Sequence, residues 1–228
     1  GVFIGNTNVK SADNDGISGA EVVLEDGSIM WTEKVLVAQG RVSNLTELNL
    51  EIRGVEVSDL GLIKANENCQ TNISHIYAIG DVIGPPPLAS AAMEQGRKAA
   101  CHALGKSRDE LLSKFIPAGI YAIPETASVG MTEAAAVEQY GTPVIGRAEF
   151  NEVARGLIMG GEEGMVKIIS DAEGDKLVGM HIVGEGATEL IHMAQVALTN
   201  KASISSFVDQ IFNFPTLVEA FRAAALDI

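Results

Sequence analysis

The sequence "TNISHIYAIGDVIG", residues 71–84, contains a short apolar run that ends on a glycine and an aspartate. The apolar run, Ile76 to Ile79, predicts a buried strand of a sheet. Gly80 allows the backbone to turn and a ligand to approach closely, and Asp81 then presents two acceptor oxygens. Because ligands of α/β sheets bind beyond the carboxyl ends of the strands, we interpret Asp81 as a candidate ligand-binding residue.

A helix follows this strand. Residues 88–104 read "LASAAMEQGRKAACHAL", and their pattern predicts a helix whose first turn suits Pro87. The free N–H groups and the positive dipole end of this helix would face the same region as Asp81 and stabilise an electron-rich ligand atom. A strand-tip carboxylate beside such a helix indicates a cofactor with sugar-like hydroxyls and an electron-accepting ring. A purely structural aspartate at a strand–loop junction explains the same residues equally well.

The residues before this strand predict a small antiparallel sheet. Residues 17–24 alternate between apolar and polar side chains, and an Asp-Gly turn leads from them to the apolar stretch "KVLVAQG". We expect this meander to end on a buried strand, Val35 to Ala38. Gly40 and Arg41 follow that strand directly.

The second half of the chain has the pattern of an α+β unit. A change in composition over residues 106–114 predicts a domain boundary. Beyond it, "IYAIPETASVG" predicts a strand interrupted by proline, Thr132 and Gly141 delimit a helix, and "MVKIIS" and "KLVGMHIVG" predict a hairpin. Three further helices are predicted over residues 187–200, 203–212 and 216–226. We therefore expect an antiparallel sheet with helices packed on it.

The composition is that of a globular protein and argues against several kinds of partner. Of 228 residues, 46% are hydrophobic and 20% are charged, and the net charge is −14. Such an acidic chain repels phosphate backbones, so we expect no nucleic-acid partner. No apolar run approaches the roughly 18 residues of a membrane span, and no signal peptide is visible, so we expect no membrane partner. The cysteines, Cys69 and Cys101, lack metal or disulfide spacing, which favours a reducing cytoplasm, and the histidines show no metal-ligand spacing.

Several motifs, taken in order, resemble the pyridine nucleotide–disulfide oxidoreductase family. "TNISHIYAIGD" looks like the second flavin-binding motif of that family, and "VLVAQGRVSN" resembles the segment that ends its nicotinamide-nucleotide domain. "IPAGIYAIPETASVG" and "FNFPTLVEAFRAAAL" resemble its C-terminal dimerisation domain. The resemblance covers essentially the whole chain. It implies the C-terminal portions of two α/β nucleotide-binding domains followed by an α+β dimerisation domain: NAD(P)-binding residues 1–45, FAD-binding residues 46–113 and dimerisation residues 114–228.

The resemblance also implies which residues contact the cofactors, FAD and NAD(P). Asp81 would hold a ribityl hydroxyl of FAD, with Gly80 giving backbone access. Gly40 would lie close to the nicotinamide nucleotide, and Arg41 near the junction of the two cofactor domains. The residues along the flavin would be those at the start of the helix: Pro87, Leu88, Ala89 and Ser90. Residues 114–228 would pair two copies of the chain in a homodimer.

The residue before Pro215 separates the possible activities. Disulfide reductases of the family have a histidine there, held by a glutamate four residues after the proline, as the acid–base group for a redox thiol. The side chain of Phe214 has no exchangeable proton, so the chain cannot perform this acid–base step in the usual way, although Glu219 is kept. Within the family, "PLASAAMEQGR" and "FPTLVEAFRAAAL" look most like the soluble pyridine nucleotide transhydrogenases, which pass hydride from NADPH to NAD through FAD without a thiol acid. The alternatives are a relative of dihydrolipoamide dehydrogenase that lacks the histidine and a non-catalytic dimerisation module.

No GxGxxG motif is present, although the family uses this motif to bind the FAD pyrophosphate at a helix N-terminus. We therefore expect the chain to be the C-terminal half of a flavoenzyme whose N-terminal half carries that motif and the redox cysteines. The C-terminal half by itself is predicted to be inactive. The choice between NADPH and NADH as donor would depend on residues of the other half.

Overall fold

The computed structural model describes residues 1–106, 115–160 and 163–228. The chain divides into two compact units, Gly1–Asn44 and Leu45–Ile228. The domain boundary predicted over residues 106–114 falls almost entirely outside the described residues and stays a prediction. Within the described ranges, no helix has the length and apolar character needed to cross a membrane.

The first unit contains an antiparallel sheet of three consecutive strands. These strands are β1 (Val9–Asn14), β2 (Ala20–Leu24) and β3 (Ile29–Thr32), with β2 in the middle. The alternation of β2 buries Ala20, Val22 and Leu24. The predicted Asp-Gly turn is confirmed, because it joins β2 to β3 and the Leu24 N–H donates to the Ser28 carbonyl at 2.9 Å.

The predicted buried strand Val35 to Ala38 is wrong, since this stretch is irregular and exposed. Leu36 is 91% exposed. A buried strand needs a hydrogen-bonded neighbour, and within residues 1–44 the sheet consists of β1, β2 and β3 alone. The apolar stretch therefore has no ladder to join in this unit. In turn, β1 was not predicted, because its sequence, VKSADN, lacks an apolar alternation.

The second unit begins with short segments around a small apolar cluster. A 3-10 helix spans Thr46–Leu48, and the first α-helix, α1, spans Leu50–Arg53. Val55, Ile63 and Ala78 are buried against one another. This cluster organises residues 55–79, in which the only β pairings are isolated bridges.

The predicted strand Ile76 to Ile79 is not a regular strand. The Ala78 N–H donates to the Cys69 carbonyl at 2.9 Å, which closes a tight loop rather than a sheet. A strand needs a ladder of several residue pairs, and the described residues give this run one isolated bridge. The chain then turns as a 3-10 helix over Gly80–Ile83.

The helix predicted over residues 88–104 is confirmed as α2 (Ala89–Ala103). Its buried residues are Ala91, Gln95, Lys98 and Ala99. The C-terminal end of α2 is tied to the preceding loop, because the Tyr77 hydroxyl lies 2.7 Å from Nδ1 of His102. The small side chains on the buried face allow the helix to pack closely against its neighbours.

The described residues after 114 form a five-stranded antiparallel sheet with helices packed on it, as predicted. In spatial order the strands are β4 (Ala118–Ile120), β5 (Thr126–Gly130), β8 (Leu177–Val183), β7 (Met165–Ser170) and β6 (Ile145–Glu149). The helices are α3 (Glu133–Tyr140), α4 (Ala154–Ile158), α5 (Ala187–Thr199), α6 (Ser205–Asp209) and α7 (Glu219–Leu226). Helix α5 packs on β4, β5 and β8, whereas α7 packs on β6 and β7. The predicted hairpin is confirmed as β7–β8.

The main core lies between this sheet and helices α5 and α7. Phe221, Ile168 and Ile191 are among its largest fully buried side chains. A Cβ on Gly146 of β6 would lie 1.9 Å from the Ala224 carbonyl oxygen, so α7 rests directly on the strand backbone. Close backbone approach of this kind leaves few voids and gives the core its density.

Helix α3 begins and ends at the predicted signals. The Thr132 hydroxyl accepts the Ala135 N–H at 3.2 Å, which satisfies one of the N–H groups that the first turn leaves without a helical partner. Gly141 ends the helix with a φ of 78°, a backbone conformation that favours glycine. Local sequence alone therefore sets the bounds of this helix.

The turn between β7 and β8 is built on a buried aspartate. Asp171 is 3% exposed, and its Oδ1 accepts the N–H groups of Asp175 at 2.9 Å and of Lys176 at 3.1 Å. Burial opposes ionisation, but the two hydrogen bonds and the positive charge of Lys176 outweigh it and lower the pKa of Asp171. The ionised carboxylate therefore stabilises the hairpin.

Candidate cofactor-binding site

Gly80 is held against α2 by a buried side chain. Its N–H donates to Oε1 of Gln95 at 2.6 Å, and Gln95 is 7% exposed. The backbone of Gly80 has a φ of 74°, in the left-handed region. A Cβ on Gly80 would lie 3.3 Å from the Cβ of Ala92 on α2. Both the backbone conformation and the close approach of the helix therefore favour glycine here.

Asp81 stands on a short turn directly after this contact. Ile79 is extended, and Asp81 lies in the first turn of the 3-10 helix that follows it. The Gly84 N–H donates to the backbone carbonyl of Asp81 at 3.1 Å. Asp81 itself is exposed. The carboxylate thus lies at the tip of an extended segment, although that segment is not the regular strand that the sequence predicted.

The N-terminus of α2 has no side-chain cap among the described residues. Leu88 occupies the cap position with an extended backbone, and its side chain cannot accept a hydrogen bond. The first bond of the helical type runs from the Ala92 N–H to the Leu88 carbonyl at 3.0 Å. The N–H groups of residues 89–91 therefore lack helical partners, and the helix dipole adds positive potential at this end. Such an end suits an electron-rich ligand atom.

A groove of about 400 Å³ opens at this end of α2. Three of the predicted residues, Leu88, Ala89 and Ser90, line it. Pro87, the residue before them, is exposed. The facing wall comes from residues 115–121 and from α5. The groove is therefore a feature of the second unit, with uncapped N–H groups at one side.

The wall formed by α5 is held by side-chain hydrogen bonds. Nε2 of Gln195 donates to the Phe115 carbonyl at 3.1 Å, and Oε1 of Gln195 lies 3.0 Å from Nδ1 of His192. Because Oε1 can only accept, Nδ1 carries the proton in this contact. At the start of α5, the N–H and hydroxyl of Thr188 donate to Oε2 of Glu125 at 3.1 and 2.8 Å. These bonds fix the shape of the groove.

The sequence patterns did not predict that Gln95 and residues of α5 contribute to this site. The one signal for Gln95 is its spacing from Ala91 and Ala99, which places it on the buried face of a helix rich in small residues. No sequence signal connects His192 or Gln195 with residues 88–90, because only folding brings α5 to the start of α2.

The other predicted site residues, Gly40 and Arg41, belong to the first unit. They follow the irregular stretch that replaces the predicted strand, and both are exposed. Their contact with a nicotinamide nucleotide stays a prediction.

Phe214 and Glu219 do not form an acid–base pair. The Phe214 side chain is 75% exposed. Oε2 of Glu219 accepts the Thr216 N–H at 3.0 Å, at the start of α7. The retained glutamate therefore stabilises the turn into α7, and the residue before Pro215 has no group that could exchange a proton.

Two family models match the chain. The model described as pyridine nucleotide-disulphide oxidoreductase matches residues 2–96. The model described as pyridine nucleotide-disulphide oxidoreductase, dimerisation domain, matches residues 116–225. The two parts of the family therefore occur in the order that the motifs predicted.

Soluble pyridine nucleotide transhydrogenases are among the most similar curated proteins. The chain is 41% identical over 213 residues to that of Mycobacterium tuberculosis, covering 93% of this chain and 45% of the relative. It is 41% identical over 230 residues to that of Vibrio cholerae, covering 100% of this chain and 49% of the relative. The chain spans about half the length of the curated relatives it matches.

Solved structures share the fold. LpdA from Mycobacterium tuberculosis matches with a TM-score of 0.83 and 27% identity, over 97% of this chain and 48% of LpdA. The HOCl-induced flavoprotein disulfide reductase RclA from Escherichia coli matches with a TM-score of 0.86 over 97% of this chain and 51% of RclA, at 22% identity, a likeness of fold alone. Family models, sequence relatives and fold agree, and the chain belongs to the pyridine nucleotide–disulfide oxidoreductase family.

Proposed function

We propose that this chain is the C-terminal part of an FAD-dependent oxidoreductase that transfers hydride between NADPH and NAD, as a soluble transhydrogenase does. The observation that carries the proposal is the N-terminus of α2, which has no side-chain cap and borders a groove. The same helix also holds Gly80 through the side chain of Gln95. The 41% identity to soluble pyridine nucleotide transhydrogenases supports the choice of reaction.

The start of α2 fits the edge of a flavin ring. Ala89 and Ser90 are small and exposed, and the three N–H groups without helical partners offer donors to electron-rich ring atoms. Pro87 and Leu88 would lie along the ring, and Asp81 would accept a hydrogen bond from a ribityl hydroxyl. FAD, when bound, supplies the two-electron chemistry that links the two nicotinamide nucleotides.

Some of the residues that bind the cofactor would lie outside this chain. A GxGxxG loop for the FAD pyrophosphate is absent from the sequence, and the curated relatives are about twice as long as this chain. We therefore propose that an N-terminal half completes the site. Gly40 and Arg41 would contribute to the binding of NAD(P) in the complete protein.

Phe214 favours a reaction without a thiol. A disulfide reductase needs an acid–base group before Pro215, and the phenyl ring of Phe214 supplies none. The hydrogen bond from Thr216 gives Glu219 a structural role instead. This observation ranks a transhydrogenase above a relative of dihydrolipoamide dehydrogenase.

We further propose that residues 114–228 form a homodimer. The dimerisation-domain model matches 116–225, and neighbouring apolar side chains on and after β4 are exposed, among them Ile120 at 63% and Tyr121 at 81%. A twofold interface would remove such apolar surface from water. Residues 1–45 and 46–113 would be the ends of the NAD(P)- and FAD-binding domains of a cytoplasmic protein.

The proposed function is tested with protein expressed from the full reading frame and, in parallel, with residues 1–228 alone. We expect the full protein to show a flavin absorption band and to transfer hydride from NADPH to a chromogenic NAD analogue. Residues 1–228 alone should be colourless and inactive, and should elute as a dimer in size-exclusion chromatography with light scattering.

Asp81→Ala is the diagnostic variant in the full protein. Loss of one charge-assisted hydrogen bond to FAD should weaken cofactor binding by about tenfold or more. A full protein without flavin would contradict the oxidoreductase proposal and leave a dimerisation module. A full protein that contains flavin and reduces NAD with dihydrolipoamide faster than with NADPH would support the dehydrogenase alternative.

A further inference from the structure

We propose that Gln95 is a positioning residue for the cofactor site, because it fixes the Gly80–Asp81 turn relative to the N-terminus of α2. The proposal rests on the proposed binding of FAD at this helix. It assigns a role to a buried side chain that is not among the residues lining the groove.

Helix α2 contacts the segment before Asp81 at several points. Oε1 of Gln95 accepts the Gly80 N–H at 2.6 Å. One turn earlier, the Cβ of Ala92 lies 3.3 Å from where a Cβ on Gly80 would be. A Cβ on Gly96 would lie 3.2 Å from Cδ1 of Ile79. The turn therefore has little room to move on the side of α2.

The hydrogen bond from Gly80 constrains the orientation of the turn, which packing contacts alone do not. Gln95 is 7% exposed, so its amide is withdrawn from water and its carbonyl oxygen is aimed at a single backbone donor. Gly80 has a left-handed φ of 74°, and Asp81 follows it directly in the chain. Loss of the acceptor would leave the Gly80 N–H without its partner beside a buried side chain.

One rigid helix therefore joins two parts of the proposed site. The N–H groups without helical partners lie at residues 89–91, and Gln95 lies on the same helix, about 6–9 Å further along its axis. Since a helix does not change its rise, the distance between the positive helix end and the Asp81 turn is set before a ligand arrives. Such preorganisation avoids the cost of ordering the turn during binding.

The test measures FAD affinity and amide hydrogen exchange in the full protein. Gln95→Met keeps the shape of the side chain and removes the acceptor, whereas Gln95→Glu keeps an acceptor oxygen. Ser170→Ala is the matched control, because it removes a buried hydroxyl on the sheet. That hydroxyl lies within donating distance of the Val144 carbonyl at 2.9 Å and the Asp171 carbonyl at 3.1 Å. Ser170 is not one of the residues of the proposed site.

We expect Gln95→Met to bind FAD about tenfold more weakly, because the turn must then be ordered on binding. The Gly80 amide should exchange at least about tenfold faster in the apo protein, since its hydrogen bond is lost. Gln95→Glu should restore slow exchange of the Gly80 amide, because its carboxylate supplies an acceptor, and part of the FAD affinity, because a buried charge is costly. Ser170→Ala should lower the melting temperature without changing FAD affinity or Gly80 exchange.

Three results overturn the inference. Unchanged Gly80 exchange and unchanged FAD affinity in Gln95→Met would show that Gln95 does not position the turn, and wild-type flavin binding would leave the proposed function intact. Equal loss of FAD affinity in Gln95→Met and Ser170→Ala would show that lower protein stability, rather than the position of the turn, weakens FAD binding. A wild-type protein that binds no FAD overturns the proposed function itself, and the inference with it.

Discussion

Replacing Gly80 by alanine should destabilise the second unit by about 2 kcal/mol. A residue with a side chain pays about 1–2 kcal/mol in the left-handed region, and Gly80 has a φ of 74°. The added Cβ would also lie 3.3 Å from the Cβ of Ala92, closer than the optimal carbon–carbon separation of about 3.5–4.0 Å. For a unit of this size, the loss corresponds to a fall in melting temperature of about 4–8 °C.

Two further variants separate backbone strain from the contact with α2. Gly61 has a φ of 73°, and a Cβ added there would meet no other atom within 4 Å, so Gly61→Ala measures strain alone. Ala92→Gly removes the contact partner and costs about 1 kcal/mol of helix propensity. The double variant Gly80→Ala, Ala92→Gly should therefore lose less stability than the sum of the two single variants.

The assay is thermal unfolding followed by circular dichroism at fixed protein concentration. If Gly80→Ala matches the wild type while Gly61→Ala is less stable, the left-handed backbone assigned to Gly80 is refuted. If Gly80→Ala and Gly61→Ala lose the same stability and the double variant is additive, the close approach of α2 to Gly80 is refuted instead.

Three other predictions follow from local chemistry. Asp171→Asn should lower the free energy of unfolding by about 1–2 kcal/mol at neutral pH, because charge-assisted hydrogen bonds become neutral ones. Because folding lowers the pKa of Asp171, the extra stability of the wild type should be complete above about pH 4 and should disappear as the pH falls through the pKa of the folded state. Urea unfolding at a series of pH values measures this difference. Thr132→Ala should cost about 1 kcal/mol of stability, because the cap of α3 is lost, and Thr132→Ser should restore most of it in the same unfolding assay. Burial raises the pKa of the Cys69 thiol, so a thiol reagent should modify the half-buried Cys101 first and Cys69 only under denaturing conditions, as read by mass spectrometry of peptides; rapid native labelling of Cys69 would contradict its burial.

Elements whose signals are local could be predicted from sequence. The cap and stop of α3 at Thr132 and Gly141 are contacts within one helix turn, and the hairpin β7–β8 pairs segments that are close in the chain. Helix α2 was predicted because its residues provide a consistent helical pattern. Linked motifs also indicated the family, because their order along the chain needs no tertiary contact to be recognised.

Predicted strands failed where a strand depends on a partner. The runs Val35 to Ala38 and Ile76 to Ile79 are largely apolar, as buried strands are. A strand also needs a ladder of hydrogen bonds to a neighbouring strand, which apolar character does not supply. Apolar character reports a tendency to be buried, whereas a ladder requires another segment at the right distance. Within the described residues, Val35 to Ala38 joins no sheet, and Ile76 to Ile79 has one isolated bridge, Gln70 with Tyr77.

Three features of the candidate site can be read from neighbouring residues alone: Gly80 allows the backbone to turn, Asp81 carries a carboxylate, and a helix with free N–H groups at its start follows. Two other features exist only in the folded chain: Gln95 accepts the Gly80 N–H at 2.6 Å, and α5 supplies a wall of the groove. The two sets of features differ in how far apart in the chain the interacting residues are. Backbone conformation and helix ends depend on a few neighbouring residues, whereas a buried hydrogen bond and a groove exist only after distant segments have packed together.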